Sequence, residues 1–324
     1  MILQLKLQQT MNSRVSKKGE QRIMKRDQYE KTRDYKKAIK ILKDFIEEEL
    51  GGNIDAMRTF CFDDLTKFIG NIGDPDMYLI VQVIYIILWG DIYDLTFDKM
   101  GAWDLKGTYA FRGDTMNSFG SLFGKESETN EFGYRAKFFG ADKDIILWNK
   151  IKEFSRLYHQ IGNFIVIPNR SSAQNGINGA RGCYYNTDYC EGMRDYFDWF
   201  LVAMEKYQNK VKNGDIKMNM FEMQLQQNPE YNPFFLEISQ WKEIFFLKHY
   251  FENDKPKWLF NTPLERRLLI TAELENRKDE KYYQDQEYLE LMNDYLDKSK
   301  EVIEYRTNRM VDVMKEKCKK QIVA

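Results

Sequence analysis

The clearest hydrophobic pattern in the chain lies between residues 33 and 50. Tyr35, Ala38, Ile39, Leu42, Phe45 and Ile46 recur at the i, i+3, i+4, i+7 spacing that gathers apolar side chains on one side of an α-helix. The pattern predicts a helix over 13–50, ended by Gly51-Gly52, where glycine can take the left-handed conformation of a C-cap. Another helix is predicted from Asp55 to Ile69. Asp74 as N-cap and Pro75 at the first helical position open a third through Met77–Trp89, apolar on every side except at Gln82. Helices are also expected over 142–160, 193–212, 234–251 and 263–278, the last capped by Thr262. Asn163–Ile167 (NFIVI) is the best strand candidate, closed by Pro168-Asn169. From about Asp279 to Lys320, residues Leu289, Met292, Leu296, Ile303, Met310 and Val313 fall on a and d heptad positions, interrupted by Ser299 and Arg306. That helix either packs back on its own core or pairs with another chain.

Two stretches break the helical pattern. Residues 90–140 hold eight of the 19 glycines, and 168–192 is rich in glycine and asparagine, so both are expected to be long structured loops. The fold class expected is mainly α, with a small β element between the two loops and a long C-terminal helix. Three regions result: a basic leader and helix over 1–50, a mainly helical core over 51–278, and the long helix over 279–324.

Composition narrows the class. A chain of 324 residues with 43% hydrophobic and 15% aromatic content can bury a large core and is not of the disordered type. Cys61, Cys183, Cys190 and Cys318 form no CxxC pair and complete no zinc set with the two histidines, so free thiols in a reducing cytosol are expected. The apolar run Met77–Trp89 is too short to span a bilayer, and no signal-peptide pattern opens the chain; a cytoplasmic protein without a membrane partner is expected. The formal net charge of −1 indicates no partner. Its distribution is less even: residues 14–43 hold twelve basic and four acidic side chains, a local charge of +8, which suits a solvated helix face with one buried stripe or a sequence-independent attraction to a nucleic-acid backbone.

Standard catalytic signatures are absent: no Walker loop, no GxGxxG after a strand, no HExxH, no GxSxG. Three clusters remain. In Phe111–Phe119, Arg112 offers a phosphate donor and Asp114 a metal-binding carboxylate, although Asp114 or Thr115 would equally serve as a helix cap. In the second, His159 ends a helix just before the strand candidate, where it acts as a base or ligand or bonds the last helix carbonyls; Asn163, Asn178 and Arg181 follow. In the third, Asp195 and Asp198 lie three apart on one helix face, placed for a divalent cation or for a solvated N-terminal turn.

The run His159-Gln-Ile-Gly-Asn163-Phe-Ile-Val-Ile-Pro168-Asn169, with Asn178 and Arg181 beyond it, resembles the Gly-Asn-Leu strand of the HNH-type (ββα-metal) nuclease module of modification-dependent restriction enzymes. The RGDTMNS run at 112–118, with IGNF and the later Asp-Tyr-Phe-Asp, is also similar to a group of uncharacterised bacterial proteins. That nuclease pattern carries an Asp-His pair upstream, and no histidine precedes His159 here, so the resemblance implies that His159 takes the base role. It further implies that Asn163 braces the metal loop and Asn178 assists the metal site. The functional expectation is a nucleic-acid-acting protein of bacterial or phage conflict systems, a phosphodiesterase using Mg or Mn. His159 would be base or ligand, Asp114, Asp195 and Asp198 metal ligands, and Arg112 and Arg181 phosphate clamps, with DNA or RNA as partner. The alternative is a non-enzymatic binding, inhibitor or scaffold protein that forms homo-oligomers or takes a protein partner through its helical surfaces.

Overall fold

The computed structural model describes residues 26–69, 75, 78–93, 95–100, 109–111, 115, 145–170, 196–215, 217–219, 222–223, 237–259 and 286–320. Of these, 73% are helical and 3% lie in strands, so the mainly α class holds. In chain order the helices are α1 (Arg26–Tyr29), α2 (Arg33–Glu49), α3 (Leu79–Tyr93), α4 (Phe97–Met100), α5 (Ile145–Tyr158), α6 (Tyr196–Asn213), α7 (Ile238–Ile244) and α8 (Gln286–Lys320). The strands are β1 (Tyr109–Phe111), β2 (Pro168–Arg170), β3 (Phe251–Glu252) and β4 (Lys255–Pro256). They form two antiparallel pairs, β1 with β2 and β3 with β4.

α2 forms where its apolar stripe predicts. Thr32 caps it by accepting the Tyr35 N–H at 3.2 Å, and Tyr35, Ala38, Ile39, Leu42 and Phe45 are buried. Two glycines in the left-handed region end it: Gly51 and Gly52 take φ of 60° and 80°, and the Gly52 N–H donates back to Ile46 O at 2.9 Å. α3 lies in the centre, with every residue from Ile80 to Gly90 buried, as a helix apolar all round must be. It packs on α2 and on α8.

α8 is 35 residues long, roughly 52 Å at 1.5 Å per residue. Its stripe docks on its own chain, against α3, α5 and the turns 54–58 and 161–163. Leu296, Ile303 and Met310 are buried there. The two expected interruptions belong to the same stripe, since Ser299 and Arg306 are each 0% exposed. At Gly162 the docking is close: a Cβ would sit 2.1 Å from Ile303 O, and the Gly162 N–H donates to Thr307 Oγ1 at 3.1 Å.

Several expected elements differ. Residues 55–69 are not a helix but two 3-10 turns, Ile54–Arg58 and Phe62–Asp64, with irregular chain around them. The reason is aromatic packing: Phe60 and Phe62 both pack on Phe45, at centroid distances of 5.6 and 6.5 Å, whereas residues two apart on a helix face away from each other. Asn163–Ile167 is not a ladder strand. Ile161–Asn163 is a 3-10 turn, Phe164 makes an isolated bridge, the chain through Ile167 is buried, and the β1–β2 ladder begins at Pro168. The Phe164 carbonyl accepts from the Arg306 side chain. The helix expected over 234–251 stops at Ile244 because Phe246 adopts φ 58°, and the chain turns into the β3–β4 hairpin. The expected loop 90–140 begins later, since α3 runs to Tyr93 and α4 and β1 follow. The helix expected over 263–278 lies outside the described residues.

Candidate functional site

The chain reverses just after α5, and that reversal collects the candidate chemistry. Phe62 N–H donates to His159 O at 3.0 Å, fastening the turn Phe62–Asp64 to the end of α5. Phe62 is itself held in the core against Phe45 and Phe164. The fastening sets the next side chain along, Asp63, beside the His159 ring, with Nδ1 and Oδ2 2.5 Å apart. His159 and Asp63 side chains are 18% and 29% exposed, so the pair sits at a partly wet surface. With the carboxylate accepting, Nδ1–H donates, and in the neutral form of the imidazole that tautomer leaves the lone pair on Nε2. This is the orientation that a carboxylate imposes on a histidine base.

Two further groups surround the pair. Arg156, one turn back on α5, bonds Asp64 at 2.5 Å, and that carboxylate holds the guanidinium firmly protonated. Cys61 donates weakly to Asp63 Oδ2 at 3.7 Å. Burial pushes the Cys61 thiol up to about 12, so it is a packed thiol and not a nucleophile.

Directly behind His159 is a buried polar network. Asn163 is 0% exposed; its Nδ2 donates to Tyr158 O at 2.8 Å and its Oδ1 accepts from Thr115 Oγ1 at 3.0 Å. Thr115 N–H also donates to Asn163 O at 2.7 Å. From the opposite side Arg306 of α8 donates to Gly162 O, to Phe164 O at 3.0 Å, to Phe245 O at 3.1 Å and to Thr115 Oγ1 at 3.4 Å. One guanidinium thus anchors the turn at Gly162, the start of the buried segment at Phe164 and the end of α7 at Phe245. The network joins the two candidate loops: Thr115 of the first is pinned on Asn163 of the second, and β1 pairs with β2 in the register Ala110↔Asn169.

The predicted site residues therefore divide. His159 reaches a carboxylate that the sequence reading did not single out. Asn163 braces the turn from within the protein. Asp198 is 1% exposed on α6 and accepts the Leu259 N–H at 3.2 Å, so it does not lie on a solvated face. Arg112, Asp114, Asn178, Arg181 and Asp195 lie outside the described residues. Among the described residues no group of three or more His, Cys, Asp or Glu side chains is placed to hold a metal ion. Asp63, Arg156 and Arg306 were missed for different reasons. Asp63 and Arg156 sat in unremarkable polar positions, whereas Arg306 carried a signal, being a cation on an apolar heptad stripe.

No protein-family model matches the chain, and no curated protein or solved structure is significantly similar to it. The nuclease-like resemblance thus rests on the quoted residues.

Proposed function

We propose that the chain acts on nucleic acid as a phosphodiesterase, with His159 as general base and Asp63 as the residue that orients it. The observation that carries this is the His159–Asp63 pair, partly exposed at the turn where both candidate loops are anchored. Nε2 accepts the proton of an attacking water; the new P–O bond forms as the bond to the leaving oxygen breaks. The leaving oxygen takes a proton from solvent, and the imidazolium returns its own there. Asp63 stabilises the imidazolium as it forms, and such a positioned base is worth about 10²–10⁴-fold in rate. No step is assigned to a metal ion.

The test is cleavage of labelled DNA and RNA by the full chain, with Mg²⁺, with Mn²⁺ and with chelator. The proposal expects activity that is abolished in His159→Ala and reduced in Asp63→Asn with an altered pH profile. Absence of cleavage in every condition, or full activity in His159→Ala, overturns it. The second reading, a non-enzymatic binding protein, draws on Asn163 and Asp198: both are consumed by the fold's own hydrogen bonds.

A further inference from the structure

The solvent face of α2 carries a row of exposed cations. Arg33, Lys36, Lys40 and Lys43 are exposed, directly opposite the buried stripe of Tyr35, Ala38, Ile39, Leu42 and Phe45. They span about 15 Å of helix. None of the four takes a carboxylate partner among the described residues. Other lysines do: Lys67 pairs with Glu48, Lys150 with Asp297, Lys212 with Glu237 and Lys315 with Asp55.

Helix stability does not account for the row. Arg33, Lys36 and Lys40 lie in the N-terminal half and Lys43 just past the middle, while Glu47, Glu48 and Glu49 fill the last turn, which holds no basic residue. That order opposes the helix macrodipole. Asp44 and Glu47 stand four residues after Lys40 and Lys43, the less favourable direction for such pairs, and neither pair closes to ion-pair distance. The charge also belongs to the face and not to the protein, whose formal net charge is −1.

We infer that this face of α2 is a docking surface for the phosphate backbone of nucleic acid. A straight row of free cations on a rigid helix complements a polyanion of regularly spaced charges, and contacts of this kind position a backbone without reading its sequence. An anionic membrane fits less well. The large apolar residues exposed among the described ones are Ile146, Val211 and Met223, none of them on α2, and the helix's own apolar stripe is sealed against α3. A folded protein partner also fits less well, because the cores of protein interfaces are depleted in lysine and other charged residues, which make up this row. The inference shares its partner class with the proposed activity but stands apart from the chemistry, because binding through α2 does not involve His159.

Fluorescence anisotropy with the full chain tests it, using a labelled 20-base-pair DNA duplex, a single-stranded RNA of the same length, and vesicles rich in phosphatidylserine. The wild type is expected to bind nucleic acid with log K falling against log salt. The variant Arg33→Gln/Lys36→Gln/Lys40→Gln/Lys43→Gln is expected to flatten the duplex slope by about 3.6, at about 0.9 per phosphate neutralised. Asp44→Asn/Glu47→Gln, which extends the positive row, is expected to tighten binding. His159→Ala is expected to bind like the wild type, which separates failure of this inference from failure of the acid–base reading. All substituted positions on α2 are exposed, and an unchanged circular dichroism melt confirms folding of every variant. Equal binding and slope in the quadruple variant, or binding to vesicles without binding to nucleic acid, overturns the inference.

Discussion

Replacing Arg306 by methionine tests how the turn beneath His159 is held. The guanidinium is 0% exposed and serves the Gly162, Phe164 and Phe245 carbonyls and the Thr115 hydroxyl. Methionine keeps most of the volume and removes every donor. A buried acceptor stranded without its donor costs about 1–3 kcal/mol. Three carbonyls, partly relieved by local relaxation and entering water, give a loss of about 4 kcal/mol. Removing one side of a buried charged network has a similar scale, about 3–5 kcal/mol. Against a typical domain stability of about 5–15 kcal/mol this is a large fraction. Arg306→Lys retains a cation with a single reaching group and should fall between, near 2 kcal/mol at about one donor's worth retained per carbonyl reached. The assay is urea unfolding followed by circular dichroism and by tryptophan emission, which senses the surroundings of Trp241 beside Phe245. The reasoning is refuted if Arg306→Met shifts stability by less than about 1 kcal/mol at an unchanged m-value, the range of an ordinary surface-to-moderate substitution. In that event water, and not the guanidinium, would be satisfying those carbonyls.

Two further outcomes follow from the same packing. Gly162→Ala would push a methyl group against backbone atoms of α8, at 2.1 Å from Ile303 O and 2.6 Å from Thr307 N. Rigid backbone cannot step aside as a flexible side chain would, so a loss of about 1–3 kcal/mol or more is expected in thermal or chemical unfolding. An unperturbed melt would show that α8 does not sit so close. The turn 54–58 is tied to α8 by Asp55, whose carboxyl is held below its usual 3.8 by hydrogen bonds from Lys315 and then Arg58. A folded-state carboxyl pKa below the unfolded one adds stability above the unfolded value, lost as pH falls through the folded value. Melting temperatures recorded from pH 6 down to pH 3 should therefore fall less steeply in Asp55→Asn than in the wild type; identical slopes would contradict the tie.

The parts of this fold that could be read in advance are those where one chain segment contains its own pattern. The α2 stripe, the all-round apolar α3 and the long α8 each follow from spacing along a few turns, because burial on a helix needs only a periodic apolar face. The segments 54–69 and 161–167 could not be read in this way. Phe60 and Phe62 look like helix residues until both rings pack on Phe45 and on each other, and NFIVI looks like a strand until a 3-10 turn ends at Asn163 and Arg306 takes the Phe164 carbonyl.

The candidate site shows the same division. Sequence by itself marked His159 and Asn163 as polar residues beside an apolar run, and marked the basic stretch that includes the exposed row on α2. The partner of His159 lies 96 positions away, and the anchor of the turn lies 144 away from Gly162. Neither pairing has a local spacing to betray it. Hydrogen-bond partners of buried groups are chosen by which elements the hydrophobic core brings into contact, so only the packing of α5, α8 and the 62–64 turn could make Asp63 the carboxylate at His159 and Arg306 the donor beneath it.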